Sequence, residues 1–143
     1  MPQKSESRTL LLDTHVWIWF MLADAQLAIH KRTAINRAAA AGRLRIAAIS
    51  VWEAALLATR GRIVLRRPLA QWITAAVSAP GLSIEPLLPA IAVEACSLPE
   101  AFHRDPADRL IVATARVANA TLMTRDQRIL EYAARGHLTA TAV

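Results

Sequence analysis

A single cysteine, Cys96, stands in 143 residues. One thiol excludes an internal disulfide framework and any zinc site built from cysteines, and Cys96 itself reads as a small buried residue. Glycine is almost as scarce. Gly42, Gly61, Gly81 and Gly136 are the only four, too few and too scattered for a dinucleotide fingerprint or a phosphate-cradling P-loop. No Gly-x-Ser-x-Gly elbow and no His-Glu-x-x-His helix occurs, which removes those serine hydrolases and zinc proteases. Lysine is reduced to Lys4 and Lys31, neither placed to serve a phospho-acceptor site. No apolar run reaches the roughly 18 residues of a membrane span: Val16 to Ala23 stops at Asp24, and Ile46 to Thr59 is broken by Glu53. Residues 1–8 lack the apolar centre of a signal peptide and read as a flexible N-terminus. The expectation is a soluble, cytoplasmic protein with one domain over 9–143.

Apolar residues are plentiful, at 55% against 20% charged, enough for a packed core and the opposite of a disordered chain. The charge is one-sided. Seventeen Lys+Arg face eleven Asp+Glu, for a net +6. Nearly all the cations are arginine, which suits planar contact with phosphate or carboxylate. A polyanionic partner is one reading, whether RNA, DNA or an acidic protein segment; a well-solvated surface is the other. The run Arg60, Arg62, Arg66 and Arg67 fits both.

Short apolar runs alternate with helical patterns. Thr9 to Leu12, Arg45 to Ile49, Leu82 to Leu87, Thr121 to Thr124 and Leu138 to Thr141 predict strands. Helices are predicted over 15–22, 25–42, 50–60, 69–79, 89–98, 105–119 and 126–135, several closed by glycine. This alternation predicts an α/β domain: three α/β/α layers around a central, mainly parallel sheet of four to five strands.

The few acids fall in one kind of place. Asp13 ends the first strand, Glu53 opens the helix after the second, Asp108 opens the helix that feeds the fourth, and Asp126 follows that fourth strand. The carboxyl ends of parallel strands share one edge of a sheet, where ligands bind. Taken singly, each acid is explained by helix capping: Asp13 and Asp126 as N-caps, Ser50 to Glu53 as a capping box, and Asp105-Pro106-Ala107-Asp108 as a cap followed by a dipole-facing acid. Taken together, they would crowd like charges into a small volume, and a hard divalent cation such as magnesium or manganese resolves that conflict. Metal-assisted cleavage of a phosphodiester is the chemistry such a pocket suits.

The stretches Leu11-Leu12-Asp13-Thr14-His15-Val16-Trp17, Ser50-Val51-Trp52-Glu53, His103-Arg104-Asp105-Pro106-Ala107-Asp108-Arg109-Leu110-Ile111-Val112-Ala113-Thr114-Ala115 and Leu122-Met123-Thr124-Arg125-Asp126 follow one another in the order and spacing of a known family. The chain resembles PIN-domain ribonucleases, and within them the VapC-type toxins of toxin–antitoxin systems. The resemblance implies a PIN-like fold and a magnesium- or manganese-dependent endoribonuclease, a hydrolase. It implies an acidic quartet of Asp13, Glu53, Asp108 and Asp126 as catalytic and metal-holding residues, with Thr14 and Thr124 ordering the site. Asp105 is either a helix cap or a further metal contact, and Arg109 and His103 are candidates to touch substrate. The resemblance also implies RNA as substrate, a homodimer, and a cognate antitoxin whose tail blocks the site. A non-cleaving RNA- or protein-binding module of the same fold, or a DNA-directed nuclease, is the alternative.

Overall fold

The computed structural model describes residues 8–143. The N-terminal tract expected to be flexible lies outside the described residues apart from Arg8, which is exposed. Five strands form one parallel sheet: β1 (Leu10–Leu12), β2 (Leu44–Ala47), β3 (Leu82–Glu85), β4 (Thr121–Thr124) and β5 (Thr139–Ala142). Their order is β3-β2-β1-β4-β5. The chain therefore builds outward from β1 on one side, then returns to lay β4 against the other side of β1. The point where strand order reverses lies between β1 and β4, and in such sheets that is where a crevice opens.

Among the described residues, seven helices cover the sheet. On one face lie α1 (Thr14–Met21), α2 (Ile29–Ala40), α3 (Ala48–Thr59) and α4 (Leu69–Val77). They pack over Leu12, Ile46 and Met123, with Trp17 fully buried and its ring 5.7 Å from that of Trp72. On the other face lie α5 (Pro89–Cys96), α6 (Pro106–Val117) and α7 (Gln127–Ala134), over Leu11 and Leu122. Successive strand residues point to opposite faces, so Leu11 and Leu12 serve different cores. Helix α6 is buried over Ile111 to Ala115, and its alanines let α5, α3 and the sheet approach it closely. The predicted three-layer α/β/α class is the observed one, with five strands.

Three local expectations are corrected. Helix α2 begins at Ile29 rather than near Ala25, because the Asp24 carboxylate accepts the Gln26 N–H at 2.9 Å and holds a turn there. Helix α3 begins at Ala48, so Ser50 and Glu53 lie inside it and form no capping box. Their polar groups are engaged by Thr14 instead, at 2.8 Å from Ser50 Oγ and 2.5 Å from Glu53 Oε1. Cys96, at the end of α5, is exposed rather than buried.

Candidate active site

Asp13 follows β1 directly and stays in the ladder, its N–H donating to Met123 O at 3.0 Å. Its extended backbone makes it the N-cap of α1. The Thr14 N–H donates to Oδ1 at 2.9 Å, and the buried Thr124 hydroxyl donates to Oδ2 at 2.5 Å. Thr124 Oγ1 also accepts the Asp126 N–H at 3.0 Å, so one hydroxyl ties two acids across the β1–β4 boundary. Asp126 caps α7, taking the N–H groups of Arg128 and Ile129 on Oδ1. Thr14 donates its hydroxyl proton to Glu53, which stands in the second turn of α3. Asp105 is the N-cap of α6 and accepts the Asp108 N–H at 3.0 Å.

These placements bring Asp13, Glu53, Asp105, Asp108 and Asp126 to the wall of one pocket of about 480 Å³. Asp108, Asp126 and a ring nitrogen of His103 offer three ligating atoms within 4.8 Å of one another. The His103 Nδ1 accepts the Asp105 N–H at 3.4 Å. Its Nε2 is buried, lies 3.1 Å from Asp108 Oδ2, and has no aligned hydrogen-bond partner.

The proximity shows in the acidities. Burial, then the charges of Asp13, Asp105, Asp126 and Glu53, pushes the Asp108 carboxyl up to about 7. Burial also raises Asp13, against the opposing hydrogen bonds from Thr124 and Thr14. Burial raises Glu53, with the Asp13 and Asp105 charges adding to it and the Thr14 hydrogen bond opposing it. His103 is lowered by burial and by Arg128, which keeps its imidazole neutral. A set of oxygen donors that repel one another, beside a neutral imidazole nitrogen without a hydrogen bond, fits a hard divalent cation.

The rim is basic. Arg128 is 62% exposed and reaches Asp126 Oδ2 at 3.4 Å and Asp108 Oδ2 at 3.9 Å. Arg125 donates to the carbonyl of Gln26 at 2.9 Å, and its guanidinium lies 4.4 Å above the Trp19 ring. His15, Trp19 and Gln26 complete the wall. Sequence reasoning passed over both arginines, although they flank Asp126 closely. Arg109, by contrast, does not line the pocket. Its guanidinium donates to the carbonyls of Ala95 at 2.8 Å and Phe102 at 3.1 Å, so it fastens the segment before α6 rather than facing the acids.

An open parallel sheet with carboxylates converging at its reversal point, ringed by arginines, defines a class of phosphate-handling α/β domain. The chain belongs to the PIN-domain family, whose model matches residues 10–135. Over 121 residues it is 38% identical to Ribonuclease VapC22 of Mycobacterium tuberculosis, which spans 85% of this chain and 89% of that relative. Its fold is similar to that of DNA-bound VapBC from Salmonella typhimurium, with a TM-score of 0.67 at 15% identity over 94% of this chain and 98% of that one. VapBC2 from Rickettsia felis, bound to a DNA fragment from its promoter, gives 0.62 at 16% identity over 93% and 97%.

Proposed function

We propose that this chain is a divalent-metal-dependent endoribonuclease and the toxin of a toxin–antitoxin pair. The observation that carries the reading is the convergence of Asp13, Glu53, Asp108 and Asp126 on one arginine-rimmed pocket. The 38% identity to a protein named as a ribonuclease supports RNA as the substrate. The VapBC complexes that share the fold support an antitoxin partner.

In this reading Asp13, Asp108 and Asp126 hold magnesium or manganese, with His103 Nε2 alongside. The bound ion supplies a water of lowered pKa and positive charge beside the scissile phosphate. The protein's own part is positional. Thr124 and the Thr14 N–H fix both oxygens of Asp13. Glu53 is oriented through Oε1 by Thr14, which leaves Oε2 to receive a proton from the attacking water. Its raised affinity for protons suits that role. Arg128 and Arg125 bind the phosphates that flank the cut. Asp105 caps α6 and so sets the direction of Asp108.

A second copy of the chain is inferred as a partner as well. Leu87, Leu88 and Val93 project into solvent from one segment at the start of α5, a surface that a homodimer would cover.

The test is cleavage of a mixed single-stranded and structured RNA pool by the purified chain, with magnesium, manganese or EDTA, and with Asp13→Asn alongside. Metal-dependent cutting that disappears in EDTA and in the variant supports the reading. Binding of RNA without cutting, by folded and partner-free protein, points instead to a non-cleaving module.

A further inference from the structure

The pocket that holds the acids is larger than an ion needs. Its volume is about 480 Å³. A magnesium ion with an octahedral shell, its waters about 30 Å³ each, fills less than half of that. The remaining wall includes four side chains of another kind: His15, Trp19, Gln26 and Arg125. They form one connected group. The His15 and Trp19 rings are neighbours at 6.0 Å, and the Arg125 guanidinium lies 4.4 Å above the Trp19 ring. Arg125 donates to Gln26 Oε1 at 3.2 Å and to the Gln26 carbonyl at 2.9 Å. Among the described residues, none of the four forms an ion pair with a carboxylate.

Local structure holds this group beside the acids. His15 and Trp19 stand four apart on α1, the helix that Asp13 caps, so they share the stripe that leads away from that carboxylate. The turn after α1 is fastened. The Asp24 N–H donates to the Trp19 carbonyl at 2.9 Å, the Asp24 carboxylate accepts the Gln26 N–H, and Arg32 donates to the Phe20 carbonyl at 3.1 Å. That turn presents Gln26 to Arg125, the first residue after β4. His15, Gln26 and Arg125 are exposed, and Trp19 is half-buried. Among the described residues, the Gln26 side-chain nitrogen donates to nothing, which leaves both its hydrogens for a ligand.

We propose that His15, Trp19, Gln26 and Arg125 form a nucleobase subsite, which takes one unstacked base of a single-stranded RNA next to the phosphate at the acids. The inference rests on the reading of the chain as a ribonuclease and adds how it selects where to cut. Arg125 and the Trp19 indole make the wall against which the base stacks. His15 closes its edge. The free Gln26 amide donates to an acceptor on the base edge and so reads its identity. The donors of Arg125 lie in the guanidinium plane, so those that Gln26 leaves free still reach a phosphate while the flat group meets the base. A phosphate alone answers the charge of Arg125 but leaves the Trp19 ring and the Gln26 amide idle. A base inside a duplex is already stacked on both faces, so the substrate is a single strand, a loop or a bulge.

The probes are nucleoside monophosphates and ribose 5-phosphate, each added to the full chain in EDTA. The readouts are the proton shifts of the Trp19 indole N–H and the Gln26 side-chain amide. Ribose 5-phosphate carries the sugar and the phosphate without the base. The nucleotides are expected to shift both signals and ribose 5-phosphate neither. Anisotropy with single-stranded oligomers of A, C or U then measures affinity, with circular dichroism checking the fold of each variant. Arg125→Lys keeps the charge and loses the plane, and Trp19→Leu loses the ring. Each should weaken the preferred oligomer roughly five- to a hundredfold, Trp19→Phe should recover most of the loss, and Gln26→Ala should narrow the preference between bases. Equal shifts with ribose 5-phosphate, or an Arg125→Lys chain that binds as tightly as the parent, overturn the proposal. A chain that cuts RNA while Trp19 and Gln26 ignore the base overturns the subsite alone. One that shows the base-dependent shifts yet cuts no RNA with either metal sustains the subsite and overturns the catalytic reading alone.

Discussion

Thr124 shows how much one hydroxyl holds in this molecule. It is fully buried, donates to Asp13 and accepts from the Asp126 backbone. Thr124→Val keeps the shape and strands the Asp126 N–H, so thermal denaturation should show a loss of about 1–3 kcal/mol, with slower RNA cleavage. Asp13→Asn should lower cleavage at least about 100-fold while the circular dichroism spectrum stays native; undiminished cutting would remove Asp13 from the machinery. Asp108 carries a pH signature. It keeps its proton to about pH 7 in the folded chain, whereas an unfolded aspartate loses it near 4. Between those values the folded state binds more protons, so metal-free protein loses stability as pH rises. The raised Asp13 and Glu53 add in the same direction. Melting in EDTA near pH 5 and at about 7.5 should show the higher midpoint at the lower pH, and Asp108→Asn should flatten the difference. The acids themselves were legible in the sequence, because a short apolar run followed by Asp and a helix fixes where the carboxylate stands. Arg109 was not. Adjacent helix residues point about 100° apart, and Arg109 turns to the carbonyls of Ala95 and Phe102 while Asp108 faces the pocket.

Individual elements divide according to whether their signals are local. The central strand β1 announced itself as a short apolar run, and β4 and α4 begin where the pattern places them. The start of α3 was hidden, because its N-cap is Ala47 with no side-chain bond, and the partner of Ser50 lies 36 positions away. Gly81 is a similar case. Its φ is +78°, and a Cβ there would stand 1.9 Å from the Ala39 carbonyl oxygen at the end of α2. Gly81→Ala should therefore force α2 and β3 apart and destabilise by more than about 2 kcal/mol. Gly42, at φ +69° with nothing near its Cβ position, makes the control. Gly42→Ala should be limited to about 1 kcal/mol of left-handed backbone strain, a difference that paired denaturation curves resolve.

For the molecule as a whole, net charge and topology matter most. With +6 on the chain, affinity for an RNA oligonucleotide should fall steeply as salt rises, each phosphate contact adding about −0.7 to the logarithmic slope. Arg128→Ala should flatten that slope by about one contact; an unaltered slope would place Arg128 outside the RNA path. The parallel sheet and its layers could be read from the alternation of runs, but the strand order could not. Which strand lies beside β1 is settled by packing between distant segments, and no short stretch encodes it. That order has a consequence in time. The hydrogen bond from Thr124 to Asp13 spans 111 positions, and β1 and β4 are neighbours in the centre of the sheet. A chain growing from its N-terminus makes Asp13 early and then waits for Thr124 and Asp126 before the pocket exists. The pocket therefore assembles late, only once synthesis has passed Asp126 and β4 can dock beside β1.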